Sequence, residues 1–391
     1  MKITDIKFLQ VSGTGEFPQD SGRGVDALDL YPEFGDAAWV ESIPGSGARR
    51  IECLYLQIRT DVGIEGLHGP VMPEQLDVIN RVFRKFLIGR DPLPANLLWD
   101  QMFRLERHAR TGLVTMGLSA LDNALWDIRG KHHGVPVYKL LGGPVVEKIP
   151  VYASSYPDLD LERVASRVRK LKDQGFRHQK WFFRFGPADG RRGIEQNAGL
   201  AAVVREAAGP ETEIMFDGRR AWDVPFTLDV LREIESLRIH WLEEPLPAND
   251  LDGHRQLRKR SRVPIATGEH LYTRWEAKPY CQEFLVDYLQ CDPEWCGGLT
   301  ELMKIIHMAE ANSIKVVPHG RHIAAAVHAV ASMPPSVCPL LETIVEGHLP
   351  YMQFFNRLRL VPKNGYLELP QHPGLGLDLD MNRVEKIVEI A

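Results

Sequence analysis

The chain has 391 residues, of which 44% are hydrophobic and 25% are charged, a composition typical of soluble globular proteins. This length allows a barrel-sized domain plus a smaller one, and no apolar run approaches the roughly 18 residues that would span a membrane. The chain has 47 Lys and Arg residues against 52 Asp and Glu residues, and its net charge of −5 lacks the basic surplus of nucleic-acid-binding proteins.

The first residues and the cysteines predict where the protein resides. Residues 1–5 alternate polar and apolar side chains and lack the apolar stretch of a secretory signal, so we expect a cytoplasmic protein. The five cysteines are an odd, sparse set without paired spacing. We therefore expect reduced cysteines that pack in the interior, with neither disulfides nor a zinc site.

The first 140 residues predict a mixed α and β unit. Strand-like alternation covers residues 2–11 and 51–60, and after a turn a further strand begins at Ile64. Apolar residues then recur at helical spacing in three segments, 76–89, 98–105 and 118–128. Residues 12–50 hold seven glycines and three prolines without a clear period, and we expect them to form a long loop that acts as a lid.

From Ile149 onward, short β-rich runs alternate with amphipathic helical segments, which is typical of βα units on a parallel sheet. The eight runs are 149–153, 179–183, 213–217, 239–243, 265–268, 288–292, 315–318 and 340–343. Eight runs predict a closed barrel, although an open doubly wound sheet shows the same alternation.

A polar residue closes each of six consecutive runs. Their separations are 26, 26, 23, 27 and 23 residues, one βα unit each time, and the residues are Asp217, Glu243, Glu269, Asp292, His319 and Glu342. Because catalytic groups of barrels lie at the carboxyl ends of strands, we expect these side chains to face one mouth. Lys180 and Arg184, on the run before Asp217, extend the series.

Three of these acids predict a metal site. Asp217, Glu243 and Glu269 would end adjacent strands about 4.8 Å apart, where three carboxylates repel one another unless a cation joins them. Oxygen ligands at this count suit a hard ion such as Mg²⁺. Each acid alone is more often a solvated strand-end residue or a helix cap, but their common period and apolar flanks favour the metal site.

The pair Asp292 and His319 predicts a general base. A carboxylate that binds one imidazole nitrogen fixes the tautomer and leaves the other nitrogen free to move a proton. His270 and His322 have no such partner in the pattern, so we expect them to be supporting or surface residues.

These residues resemble the enolase superfamily, and within it the mandelate racemase-like branch of acid-sugar dehydratases. The similarity covers nearly the whole chain and is carried by residues 117–127 (GLSALDNALWD), 136–143 (PVYKLLGG), 241–245 (WLEEP), 267–270 (TGEH) and 317–320 (VPHG). Residues 179–187 and 292–300 look most like rhamnonate dehydratases, which suggests an aldonate substrate.

The resemblance implies both a fold and a set of roles. The fold is an α/β protein with a TIM-like (β/α)7β barrel over residues 141–355 and an α+β N-terminal capping domain over residues 1–140, completed by about residues 356–391. Asp217, Glu243 and Glu269 would bind Mg²⁺, His319 with Asp292 would form the catalytic dyad, and Glu342 would bind a substrate carboxylate oxygen. A homo-oligomer is a further expectation from the resemblance.

The second strand departs from the family pattern. Racemase-type members carry a Lys-x-Lys pair there, whereas Lys180 is followed by Trp181 and Phe182. Lys180 is a second catalytic base if its aromatic neighbours lower its pKa, or an electrostatic or structural lysine; both interpretations stay open. Arg184 and Arg219 cannot readily release a proton, so we expect them to bind substrate oxygens, with a surface position as the alternative for Arg219.

The chemistry predicts a carbon–oxygen lyase that acts on a small sugar acid, with neither nucleic acid nor membrane as partner. Removal of the proton next to a carboxylate makes an enediolate, which a divalent ion stabilises; loss of the β-hydroxyl then yields a 2-keto-3-deoxy acid, with His319 as base and acid. An epimerase or racemase, a lactone cycloisomerase and a non-catalytic sugar-acid binder remain the alternatives.

Overall fold

The computed structural model describes residues 1–17, 47–108, 110–155, 158–345 and 348–390. Four antiparallel strands form an N-terminal sheet: β1 Ile3–Phe17, β2 Gly47–Thr60, β3 Glu65–Val71 and β13 Lys386–Ile390. Their order is β13-β1-β2-β3, so the end of the chain pairs with its beginning. The N-terminal helices are α1 Pro73–Val78, α2 Arg84–Leu87, α3 Ala95–Leu105, α4 Gly112–His133 and α5 Val137–Leu140, with a π-helical turn, Ile79–Phe83, between α1 and α2.

Strand alternation buries both faces of the N-terminal sheet. Ile6 and Phe8 of β1 pack with apolar side chains of the N-terminal helices. Leu9 and Val11 point to the opposite face, where Phe355 from the C-terminal segment packs on them. A period of two therefore places neighbouring apolar residues in two separate cores.

A second sheet consists of parallel strands that alternate with helices. Its strands are β4 Lys148–Ser154, β5 His178–Phe182, β6 Glu213–Asp217, β7 Trp241–Glu243, β8 Ile265–Thr267, β9 Tyr288–Leu289, β10 Lys315–Val316 and β11 Leu341–Ile344. The helices are α6 Leu161–Asp173, α7 Gly190–Ala208, α8 Val224–Ile234, α9 Leu251–Arg260, α10 Thr273–Gln282, α11 Gly298–Ala311 and α12 Ile323–Ala331, with 3-10 turns at Pro187–Asp189 and Glu235–Leu237. After β11 follow α13 His348–Met352 and β12 Tyr366–Glu368, which pairs antiparallel with β4.

Strands β4 to β10 pair in chain order, and β11 pairs with β4, so the last parallel strand lies beside the first. Each of the eight β-runs predicted from the sequence overlaps an observed strand. The predicted fold class, a TIM-like (β/α)7β barrel with an α+β N-terminal unit, is confirmed. The domain boundaries at residues 140 and 355 remain our proposal.

The expected loop over residues 12–50 was wrong at both ends. β1 extends to Phe17 and β2 starts at Gly47, with Thr14 opposite Arg50 in an unbroken antiparallel pair. One of the glycines that suggested a loop has a packing reason, because a Cβ atom at Gly13 would collide with the carbonyl oxygen of Arg383. The lid was expected over residues 12–50, and its central part, residues 18–46, lies outside the described residues.

Two expectations from composition concern the cysteines and the membrane. All five cysteines are free and buried, as predicted for packing residues. Among the described helices, none combines the length and apolar character that crossing a bilayer requires.

Asp127 on α4 joins three parts of the fold. Its buried carboxylate accepts hydrogen bonds from the backbone amides of Leu67 at 2.9 Å and Leu375 at 2.8 Å, and it pairs with Lys131 at 2.7 Å. We expect Asp127→Ala to destabilise the protein by about 3 kcal/mol, because it leaves two buried amides and a lysine without their acceptor.

Thermal unfolding of the purified variant measures this effect. Asp100→Ala is the matched control, since Asp100 makes the same i,i+4 contact with Arg104 on an exposed face of α3, and its melting temperature should equal that of the wild type. An equal loss in both variants would contradict the assigned role of Asp127.

Candidate active site

The carboxyl ends of β6 and β7 bring two acidic side chains to one level inside the barrel. Asp217 pairs with Glu243 in the parallel register. Two residues earlier on the same strands, Met215 and Trp241 belong to the cluster that fills the barrel interior. The period of two therefore aims both carboxylates inward, above an apolar floor.

Lys180 lies among these carboxylates. Its ammonium is 3.3 Å from Asp217 and 2.8 Å from Glu342, and it also contacts Glu243. The side chain is 1% exposed. Burial lowers the pKa of Lys180, but the charges of Glu243 and Glu342 outweigh burial and raise it well above its ordinary value. Lys180 is therefore a buried cation that balances the acids around it.

Glu243 is also held by neutral donors that the sequence analysis missed. The indole N–H of Trp241 donates to its Oε2 at 3.0 Å, and the Gln290 amide donates to the same oxygen at 2.6 Å. Gln290 lies two residues before Asp292, so strand alternation was the signal that would have placed it inside the barrel.

Glu269 lies apart from the Lys180 contacts. Its carboxylate is 3.1 Å from His270 Nδ1 and 3.3 Å from His319 Nε2. Among the described residues, the group with ligand atoms within 4.8 Å of one another is Glu244, Glu269 and His270. Glu244 was not predicted as a site residue. His270, expected to be a supporting or surface residue, lies beside two carboxylates, which fits a supporting position.

The donor set fits a hard divalent cation. Asp217 and Glu243 contact the Lys180 ammonium, which shows that this point of the barrel needs positive charge. Glu269 adds a further carboxylate to the same barrel mouth. Oxygen donors of this kind suit Mg²⁺. Asp217, Glu243 and Glu269 would hold the ion, with Glu244 and His270 close enough to orient Glu269 or to add a ligand.

The dyad predicted from the sequence is formed in the structure. His319 Nδ1 is 2.7 Å from Asp292 Oδ2, and the other carboxylate oxygen accepts from the backbone amide of Glu294 at 2.7 Å. The second ring nitrogen of His319, Nε2, points toward Glu269. Burial lowers the pKa of His319, but the Glu269 charge and the Asp292 hydrogen bond outweigh burial and raise it to about 10.

Glu342 lies on β11, the last parallel strand, beside His319. Its Oε2 accepts from the backbone amide of Gly320 at 3.0 Å, and Oε1 lies against Lys180. Burial raises the pKa of Glu342, but the Lys180 charge outweighs burial and lowers it. A Cβ atom at Gly320 would lie 2.5 Å from the Glu342 carbonyl oxygen, so the glycine of the VPHG segment permits this approach.

Two arginines were predicted to bind substrate. The backbone amide of Arg219 donates to Asp217 Oδ1 at 2.7 Å, and its guanidinium lies 5.5 Å from the centre of the Phe182 ring. Arg219 is half-buried, so it belongs to the rim of the site and not to the open surface. Arg184 is buried two residues beyond Phe182.

We expect Lys180→Met to destabilise the protein by about 3–5 kcal/mol in the absence of divalent ions, because Asp217, Glu243 and Glu342 lose their balancing charge. Added Mg²⁺ should raise the melting temperature of this variant more than that of the wild type. Lys170→Met, an exposed change on α6, is the control. Equal gains with Mg²⁺ in all three proteins would contradict a shared cation site.

Comparison with known proteins agrees with this geometry. Residues 163–383 match the family described as enolase C-terminal domain-like, and residues 47–142 match the mandelate racemase / muconate lactonizing enzyme N-terminal domain. The chain is 31% identical to the L-rhamnonate dehydratase of Saccharopolyspora erythraea over 97% of both proteins. It is 32% identical to the D-galactarolactone cycloisomerase of Agrobacterium fabrum, over 84% of this chain and 89% of that protein.

A solved structure extends the similarity to three dimensions. Rhamnonate dehydratase from Gibberella zeae complexed with Mg superposes with a TM-score of 0.84 at 28% identity, covering 98% of this chain and 96% of the other.

Proposed function

Since the chain belongs to the enolase superfamily and carries the N-terminal domain of the mandelate racemase and muconate lactonizing enzymes, we propose that it is a Mg²⁺-dependent acid-sugar dehydratase. Its substrate is an aldonate of the rhamnonate or lyxonate kind, and its product is a 2-keto-3-deoxy acid. The similarity to two rhamnonate dehydratases supports this substrate class.

The observation that carries the proposal is the His319–Asp292 dyad. Nδ1 is bound to Asp292 at 2.7 Å, so Nε2 is the nitrogen left to exchange a proton. Nε2 faces the carboxylate cluster, which is where the acidic carbon of a bound substrate would lie. Dehydration can proceed with proton transfer on one face of the substrate only, so one such group is enough.

In the proposed reaction His319 Nε2 takes the proton from the carbon next to the substrate carboxylate. The electron pair moves into an enediolate, and a divalent ion held by Asp217, Glu243 and Glu269 supplies the charge stabilisation when bound. The enediolate then collapses, the C–O bond to the β-hydroxyl breaks, and His319 returns its proton to the leaving oxygen to make water. The remaining enol tautomerises to the 2-keto acid.

Glu269 links the metal ligands to the base. Burial lowers the pKa of His319, but the Glu269 charge, together with the Asp292 hydrogen bond, raises it to about 10. A cation held by Glu269 would offset part of that charge and so favour the neutral imidazole, which is the form that can accept a proton.

Lys180 is assigned an electrostatic role in this proposal. Contact with three carboxylates favours the protonated form of Lys180, and that form cannot act as a base on the second face. Epimerisation needs proton transfer on both faces, so this arrangement favours dehydration. Glu342, Arg184 and Arg219 are proposed to bind the substrate carboxylate and hydroxyl oxygens.

Lactone cycloisomerisation is the second candidate, because the Agrobacterium fabrum relative with this activity is as similar as the dehydratase. Both reactions form an enediolate with a metal and one base, and they differ in whether an oxygen leaves as water or as part of a ring.

A Mg²⁺-dependent screen of mono- and diacid sugars and of aldarolactones tests the function. We expect a 2-keto acid from an aldonate such as L-rhamnonate, detected with semicarbazide and abolished by a chelator. Keto acid formation from D-galactarolactone but from no aldonate would favour the cycloisomerase, and exchange of solvent deuterium into recovered substrate would favour an epimerase. Ligand binding without any turnover would contradict an enzymatic role.

His319→Asn should lower kcat about 10³-fold or more, because asparagine cannot transfer the proton. Binding of Mg²⁺, followed by calorimetry, should not change. His307→Asn on an exposed turn of α11 is the control. Retained turnover in His319→Asn would refute the assignment of the base.

A further inference from the structure

The Asp292 carboxylate is oriented by two hydrogen bonds. One oxygen accepts from His319 Nδ1 and the other from the backbone amide of Glu294, each at 2.7 Å. Asp292 is fully buried, so bulk water is not available to replace either bond. The orientation of the Asp292 carboxylate relative to His319 therefore depends on the position of the Glu294 amide.

The turn that carries this amide is closed by its own backbone. The amides of Trp295 and Cys296 donate to the Asp292 carbonyl oxygen at 3.0 and 2.7 Å. These bonds set the shape of the turn, but its position relative to the barrel mouth needs contacts from other elements.

Two side chains from the N-terminal unit supply those contacts. His68 on β3 places Nε2 at 2.6 Å from Glu294 Oε2. Asn123 on α4 donates from Nδ2 to the Pro293 carbonyl at 3.0 Å and to Glu294 Oε1 at 3.4 Å, while its Oδ1 accepts from the Leu299 amide at 3.0 Å. His68 and Asn123 are fully buried and Glu294 is 7% exposed, so the contacts form inside the interface.

The Glu294 carboxylate is charged although it is buried. Burial raises its pKa, but the neighbouring His68 and His322 outweigh burial and lower it. His322, three residues after His319, lies with Nδ1 3.9 Å from Glu294 Oε1, and its ring meets the His68 ring edge-on at 5.9 Å. Of the two positions expected for His322, supporting or surface, its burial beside Glu294 fits the supporting one.

We propose that His68, Asn123 and Glu294 are positioning residues, through which the N-terminal unit fixes the turn after Asp292 and so aims the Asp292 carboxylate at His319. The contact between Glu294 and the Asp292 side chain is a peptide N–H, which does not relay a proton, so the effect is on geometry. The inference rests on the proposed role of His319 as the base.

The inference is tested by His68→Leu and Glu294→Ala, which remove the contact, and by Glu294→Gln, whose amide oxygen can still accept from His68. Thr300→Val is the matched control, because Thr300 joins the same helix α4 to the barrel through Asp122 and Trp126, each at 2.8 Å, without contacting the turn. A lone buried charge can unfold a protein, so the double variant His68→Leu/Glu294→Leu, which leaves no unpaired charge, is made as well.

With the substrate found by the screen, His68→Leu, Glu294→Ala and the double variant should lower kcat about 10- to 100-fold, the usual effect of losing a group that orients an active-site side chain. KM and Mg²⁺ affinity should change less than about threefold, since these residues are not among the proposed metal or substrate ligands. Glu294→Gln should keep most of the wild-type kcat. Thr300→Val should have a lower melting temperature but an unchanged kcat.

Crystal structures of the double variant and of Thr300→Val give a reading that does not depend on turnover. In the double variant the Asp292 carboxylate should rotate and its hydrogen bond to His319 Nδ1 should lengthen or break, while Thr300→Val should keep it. An unchanged dyad in the double variant, or an equal loss of kcat in Thr300→Val, would overturn the inference. If the wild type turns over no sugar acid, the proposed function fails while the crystal structures still decide the positioning role.

Discussion

Carboxylates crowd the mouth of the barrel, and the repulsion between them is the constraint on which the rest of the site depends. They come from β6, β7 and β11 and from the segments after β8 and β9, and they are Asp217, Glu243, Glu342, Glu269 and Asp292. Little water reaches them, so their charges interact more strongly than on a surface. A stable fold needs cations at the same place, and the chain supplies Lys180 and His319.

This arrangement explains why one site can both bind a metal ion and move a proton. The acids near Lys180 form a region that accepts positive charge, and the acids near His319 hold an imidazole in one tautomer. Glu269 lies between the two and contacts the ring nitrogen that Asp292 leaves free. In the proposed reaction, binding a cation and tuning the base would therefore be coupled through one carboxylate.

The N-terminal unit has more than a covering role in this interpretation. Its strand β3 and helix α4 reach the turn after β9 with His68 and Asn123, on the side of Asp292 that faces away from His319. An interface that holds the partner of a catalytic base constrains how the two units can be rearranged. It also lets changes in the N-terminal unit alter the rate without altering any group that touches substrate.

The sequence by itself determined the eight β-runs, the polar residue that closes six of them and the pairing of Asp292 with His319. It could do so because parallel strands bring their carboxyl ends to one edge, so a repeat of one βα unit along the chain becomes proximity in space. Only the tertiary structure decided what lies across the barrel and between the two units. Lys180 contacts Glu342 because the curvature of the sheet brings their strands together. His68 contacts Glu294, 226 residues away in the chain, because the N-terminal unit docks there. A period along the chain records the direction of a side chain but not which distant side chain it will meet.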